Sequence, residues 1–298
     1  MTSIDAKANL RTLRDVVRYA VSRFNEAGVF FGHGQIDAFD EAVFIVMRSL
    51  HLPLERLETF LDSFLTHAEI NSLLELIDRR AKRRIPAAYL VKEAWLQGYR
   101  FYVDNRAIIP RSFIAELLKD ELAPWIDDVN NVREVLDLCT GSGCLAIMAA
   151  DTFPYASVDA VDISKDALAV AAQNVEEYRM GGRVRLVESD LFSALDDKRY
   201  DLILCNPPYV TETAMAKLPK EYTHEPKLAL AGGIDGMDVV RYVMSDAAKH
   251  LKPDGMLVVE VGDGRAMVEQ LYPKVPMNWL TTSAGDDMVF LVRGENLP

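Results

Sequence analysis

The stretch VLDLCTGSGCLAI, residues 135–147, passes from a branched apolar run through two glycines into a helix start. A parallel strand hands its carboxyl end to a helix N-terminus in this way, and the free N–H groups there face a ligand. Gly141 permits the tight turn, and Gly143 lets a ligand come close to the backbone. By itself the G-x-G-x-x-A spelling would suit a dinucleotide as well. The fold class is decided by the pattern around it. Strand candidates at 157–163, 183–189, 200–205, 255–261, 278–283 and 287–293 join the one at 132–139. Helical stretches such as SKDALAVAAQNVEEY and DVVRYVMSDAAKHL fall between most of them. Such alternation predicts an α/β domain with a mostly parallel sheet covered on both faces. Only a short Gly-Asp turn separates the last two strands, which implies one antiparallel hairpin at an edge.

Upstream the apolar period changes. From about Leu10 to Ile85 it is helical, as in Leu13, Val16, Val17, Ala20 and Val21, so residues 1–86 form a small helical domain, expected to recognise the substrate. Thr66 and Glu69 spell a capping box ahead of its last helix. That helix ends in RRAKRR, residues 79–84, which reads as a solvated end whose cations suit the macrodipole, or as a contact to RNA of a ribonucleoprotein. Residues 87–109, aromatic and β-branched with a Gln-Gly turn, predict a β-hairpin linker. PRSFIAELLKDELAPWI then starts a helix and opens the larger domain, residues 110–298.

Composition narrows the function classes. Half of the 298 residues are hydrophobic, yet no run approaches the ~20 apolar residues of a membrane span, and the start lacks a signal peptide's apolar stretch. A soluble, cytoplasmic protein with no membrane partner is expected. Cys139, Cys144 and Cys205 form no C-x-x-C pair and suit a reducing compartment as small buried hydrophobes. The histidines are scattered, so no metal is predicted. The net charge is −12, and residues 1–90 balance 12 Lys and Arg against 12 Asp and Glu, so the acidity lies in the rest of the chain. An acidic body is a poor general DNA binder and suits a cationic cofactor or a basic protein partner. Oligomeric state is left open, a monomer being the simplest expectation.

Three acids sharpen the glycine turn. Asp162, with Ile163 beside it, closes the second strand about 20 residues on, where a carboxylate can accept both ribose hydroxyls. Asp190, ahead of Leu191, ends the third strand and can accept from an adenine amine. Asp137 precedes the glycines, with no phosphate-binding Lys or Arg near. A carboxylate there opposes a pyrophosphate and favours an ammonium and a sulfonium, so S-adenosylmethionine fits better than NAD.

The fourth strand ends in an odd way, as DLILCNPPYV, residues 201–210. An amide or arylamine nitrogen is a poor nucleophile because its lone pair is delocalised. If two acceptors take its two N–H bonds, the nitrogen is oriented and can pyramidalise. Asn206 offers its side-chain oxygen and Pro207 its carbonyl, while Pro207 and Pro208 fix the backbone without donating. Tyr209 can cover the planar group of the substrate. About 30 residues then separate Cys205 from the next helix near Asp238, far beyond the usual 2 to 6, as expected of a ligand-binding loop. In it His224 and Glu225 either line the substrate entrance or close the loop by a salt link.

DLCTGSGCLAI, AVDIS, SDLF, NPPYV and HEPKLALAGGIDG, with the helical region and hairpin before them, resemble the class I S-adenosylmethionine-dependent methyltransferases of the HemK type, which methylate a glutamine side-chain amide in a protein. The resemblance covers nearly the whole chain. It implies a seven-stranded Rossmann-like sheet, a substrate glutamine held by Asn206 and Pro207, and cofactor contacts at Gly141, Asp162, Leu191 and Asn206. The release-factor branch carries Pro-Arg-Pro-acid-Thr-Glu where this chain reads PRSFIAE, residues 110–116. FFGHGQIDAFDEAV, RIPAAYL and PRSFIAELL look more like the branch that methylates ribosomal protein three of the large (50S) subunit, free or in an assembling particle. The alternatives are a release factor as substrate, methylation of an adenine exocyclic amine in nucleic acid, and a non-catalytic ribosome assembly factor with a vestigial cofactor site.

Overall fold

The computed structural model describes Lys7 and residues 9–298, so the first six positions of the expected helical domain and Ala8 lie outside the described residues. Two compact units form. One runs through Glu93 and takes in Pro219–His224, and the other comprises Ala94–Leu218 and Glu225–Pro298.

The first unit is helical, with α1 (Leu13–Ala27), α2 (Ala38–Ser49), α3 (Leu57–Phe60), α4 (His67–Arg83) and α5 (Ala87–Val91). Capping boxes start α1 and α4. Thr66 Oγ1 accepts from the Glu69 N–H at 3.3 Å while the Glu69 carboxylate accepts from the Thr66 N–H at 2.7 Å, and Thr12 and Asp15 repeat the arrangement. Each cap is worth about 1 kcal/mol. The helical stripe read from the sequence is the core, in which Leu13, Val16, Val17 and Ala20 meet Ile45 and Val46 of α2 and Leu73 and Ile77 of α4.

The basic run at the end of α4 is not the solvated end the sequence suggests. Arg80 is fully buried, and its guanidinium donates to Glu41 Oε1 at 2.6 Å, to Glu221 Oε1 at 3.2 Å and to the Phe30 carbonyl at 2.9 Å. Arg84 donates to the carbonyls of Gly28 and Ala27, which end α1, and to Glu221. Glu221 also accepts from the Phe30 N–H at 3.1 Å, and the Tyr222 ring lies 4.5 Å from that of His33. Only Lys82 and Arg83 of the run are exposed.

The second unit opens with a hairpin, β1 (Ala94–Leu96) and β2 (Tyr99–Phe101), shorter than the expected 87–109. Residues 87–91, read as hairpin, form α5 instead. Pro86 fits the start of a helix, and Ala87, Ala88 and Leu90 outweigh the single Tyr and Val. The helix expected from PRSFIAELLKDELAPWI is also short, α6 (Ile114–Lys119), because Glu121 and Leu122 turn to positive φ and Leu122 is buried beneath it.

Seven further strands form the main sheet, β3 (Glu134–Leu138), β4 (Ser157–Asp162), β5 (Val184–Glu188), β6 (Tyr200–Cys205), β7 (Leu251–Glu260), β8 (Asn278–Thr282) and β9 (Gly285–Arg293). Their order is β5-β4-β3-β6-β7-β9-β8, and β9 runs antiparallel to both neighbours. Along β6, Leu202 and Leu204 face one core with α6 and α7 (Cys144–Thr152), and Ile203 and Cys205 face the other with α10 (Asp238–His250). Two buried faces explain why the strands are apolar throughout rather than alternating. Helices α8 (Lys165–Glu177), α9 (Glu212–Met215) and α11 (Arg265–Leu271) complete the unit.

Candidate active site

The strand order reverses between β3 and β6, where the carboxyl ends of an α/β sheet open a crevice. The glycine turn leaves β3 there, NPPY leaves β6, and Asp162 ends β4 alongside.

Asp137 is fully buried in β3. Its Oδ2 accepts from the Thr140 hydroxyl, but its Oδ1, like the buried Ser142 Oγ, has no hydrogen-bond partner among the described residues. Burial pushes the carboxyl up to about 7, and the Thr140 hydroxyl and Ala146 N–H offset only part of this. Asp162 Oδ2 accepts from the Gly141 N–H and Oδ1 from the Ser164 N–H, both at 2.9 Å. Burial raises its pKa despite these donors. A carboxylate gripped at both oxygens keeps its remaining lone pairs in set directions. Ile163 is half exposed beside it, and the Ser189 N–H pairs with the Asp162 carbonyl, bringing exposed Asp190 to the next strand end. Leu191 then turns at φ 47°.

A Cβ on Gly143 would lie 3.1 Å from the Ala171 Cβ of α8, so the missing side chain also lets a neighbouring helix come close.

On the β6 side, Asn206 Nδ2 donates to the Arg111 carbonyl at 3.3 Å. Neither Asn206 Oδ1 nor the Pro207 carbonyl accepts a hydrogen bond from the described residues. The glycine-rich segment of the long loop braces this turn. The Val210 N–H donates to the Leu230 carbonyl and the Gly232 N–H to the Val210 carbonyl, at 2.8 and 2.9 Å. A Cβ on Gly232 would stand 2.7 Å from the Tyr209 Cα, so the approach is possible only for glycine. Pro208 and Tyr209 are partly buried against it.

His224 and Glu225 do not act together. His224 Nε2 lies 2.7 Å from the Arg83 carbonyl within the helical unit. Glu225, its side chain buried, closes the loop by a bidentate pair with Arg111 at 2.6 and 2.8 Å and accepts from the Ile109 N–H. Arg111, Ser112 and Glu260, which brace Asn206 and Tyr209, were not singled out from the sequence. A signal existed for Glu260, the lone acid at the end of an apolar strand run, the same mark that exposed Asp162.

Residues 117–233 match the family model described as methyltransferase small domain. The chain also shares a fold with the hMettl16 catalytic domain solved with a MAT2A 3′UTR hairpin, at 16% identity and a TM-score of 0.51 over 94% of this chain and 91% of that one. The fold is that of the class I methyltransferases. The ribosomal protein uL3 glutamine methyltransferase of Burkholderia pseudomallei is 55% identical over 97% of this chain and 96% of its own length. That of Neisseria gonorrhoeae is 52% identical over 98% and 97%. The chain belongs to the ribosomal protein uL3 glutamine methyltransferase family.

Proposed function

We propose that this protein transfers a methyl group from S-adenosylmethionine to the side-chain amide nitrogen of a glutamine in ribosomal protein uL3. One observation carries the reading. Asn206 is held by its nitrogen, while its oxygen and the adjacent Pro207 carbonyl meet no donor of the described residues at the mouth of the crevice. Two fixed acceptors side by side suit a group with two N–H bonds, which a primary amide has. With both N–H bonds taken, the lone pair of the target nitrogen turns out of conjugation and toward the cofactor side. Tyr209 covers the amide plane. Such positioning accounts for up to about 7 to 11 kcal/mol of barrier lowering. The methylated nitrogen is acidic enough to pass its proton to water, so no side chain is assigned as a base.

The cofactor end suits the ligand on this chain's own chemistry. The Asp137 oxygen without a donor and the Ser142 hydroxyl call for a ligand that brings charge and donors of its own. Asp137 would hold the ammonium, Asp162 the ribose hydroxyls and Asp190 the adenine amine, with Ile163 and Leu191 against the base and Gly141 and Asn206 at the rim. When bound, S-adenosylmethionine supplies the electrophilic methyl group. The acidic larger domain suits a basic ribosomal protein, free or partly assembled.

Two expected outcomes concern binding. Asp162→Ala weakens S-adenosylmethionine affinity by about tenfold or more, since a ligand hydroxyl pair loses a charged acceptor. Unchanged affinity by calorimetry would remove Asp162 from the ribose site. Affinity also falls as pH drops. Asp137, raised to about 7 when buried, must shed its proton to meet a cation, so binding weakens as pH falls through that value. The ligand's amine stays charged below about 7.7, so loss between about pH 7.5 and 5.5 belongs to the carboxylate. Asp162, raised in the same direction, is separated from it by Asp137→Asn, which should bind weakly with a flatter pH profile.

The reaction is tested by tracing labelled methyl groups into ribosomal material from cells lacking the protein. Label on one uL3 glutamine is expected. Label in RNA, or on a release factor alone, would overturn the substrate.

A further inference from the structure

The first residue of NPPY is held by one short segment, Pro110–Phe113, and a single buried carboxylate ties that segment to the last residue of the motif. Glu260, 2% exposed at the end of β7, accepts from the Ser112 hydroxyl at 2.6 Å and the Phe113 N–H at 2.9 Å through Oε2. Its Oε1 accepts from the Tyr209 hydroxyl at 3.3 Å. The same segment supplies the Arg111 carbonyl to which Asn206 donates. On the other side of the ring, Gly262 sits at φ +52°, and a Cβ there would stand 2.7 Å from Tyr209 Cε2. The ring is therefore set against backbone, with its hydroxyl anchored on Glu260.

We infer that Glu260 is a positioning residue for the methyl transfer. It fixes the Tyr209 ring over the target amide and keeps Arg111 where it orients Asn206. The inference rests on the functional reading above for its kinetic consequence, but the ring position is independent of it. The groups that meet the Glu260 carboxylate are a hydroxyl, backbone N–H groups and a phenol, and burial holds its pKa above the usual carboxylate range. Such a group is costly for a fold to keep buried. An apolar residue would fill the site at less cost if filling were all that was required.

The test compares Glu260→Ala, Glu260→Gln, Tyr209→Phe and the double variant Tyr209→Phe/Glu260→Ala, each measured for kcat and KM with uL3, for S-adenosylmethionine affinity and for melting. Glu260→Ala should lower kcat by about thirtyfold with cofactor affinity within about threefold, because the lost interaction orients the acceptor side alone. Glu260→Gln should recover most of this. Its oxygen can still accept from Ser112 and Phe113, and its NH2 can donate to the phenol oxygen. In the double variant the two effects should combine to less than their product by at least about fivefold, the mark of residues acting through each other. Crystal structures give the separate readout, with the Tyr209 ring displaced in Glu260→Ala and unmoved in Glu260→Gln.

A Tyr209 ring that stays in place without Glu260, or effects that multiply independently, would overturn the inference. So would a Glu260→Gln variant that loses cofactor binding along with turnover, which would make the residue a general support of the fold. A wild type that methylates no glutamine would fail the functional reading alone, since the ring position still decides this one.

Discussion

Asn206→Ala is expected to lower glutamine methylation at least about a hundredfold while leaving S-adenosylmethionine binding within about threefold, the scale of losing one preset polar contact in a closed site. The argument lies in what holds the side chain. Arg111 takes the amide nitrogen, so the oxygen can point only one way, and it meets no donor of the described residues. Alanine removes the acceptor and leaves the Pro207 carbonyl alone, which can take one N–H bond but cannot fix the plane. Asn206→Asp should fail as well, because it sets a carboxylate oxygen against the Arg111 carbonyl where a donor stood. Retention of more than about a tenth of wild-type turnover by Asn206→Ala would discard the two-acceptor clamp.

Arg80→Ala should destabilise the helical unit by about 3 to 5 kcal/mol, measured by urea unfolding. The loss is not that of one good contact. It comes from Glu41, buried and left without its cation, from Glu221, buried and left with Arg84 alone, and from a Phe30 carbonyl without its donor. Burial already raises the Glu41 pKa in spite of Arg80. Removing the guanidinium raises it further, so the variant holds a proton on Glu41 at low pH and loses stability as pH rises through the new pKa. Replacing Arg80, Glu41 and Glu221 together by leucine should cost much less than Arg80→Ala. A triple variant as unstable as the single one would show that the packing of the arginine, and not its charge, is what the unit needs.

The strands of the sheet and the capping box of α4 were legible because each is written locally. Apolar runs end in Asp or Asn at the carboxyl edge, and Thr66 and Glu69 announce a helix in four letters. The β8–β9 edge hairpin was evident from the short turn between them. The failures concern residues whose partners lie far away in the chain. RRAKRR looks solvated on its own helix, and nothing nearby tells that Glu221, 141 positions on, completes the burial of Arg80. Glu260 and Ser112 are 148 positions apart, and neither resembles a site residue until the other is beside it. The close approach of Ala171 to Gly143 is hidden for a related reason, since a glycine that admits a helix and one that admits a ligand are spelled alike. The reading of 87–91 as a hairpin was a local error, where two alanines and a leucine after a proline deserved more weight than one tyrosine.

The membership of Pro219–His224 in the helical unit has a consequence for genetics. The chain passes between its units at 93/94, again at 218/219 and again at 224/225, so no single cut separates them. A fragment ending at Glu93 would keep every helix of the first unit from α1 to α5 and still lack Glu221 and Tyr222, leaving Arg80 short of one carboxylate and Phe30 of its acceptor. A gene cut at the linker therefore yields neither unit whole. Recombination that exchanges these helices between relatives keeps Arg80 fully paired only where the recipient's distant loop supplies the same carboxylate, which links the two segments in inheritance.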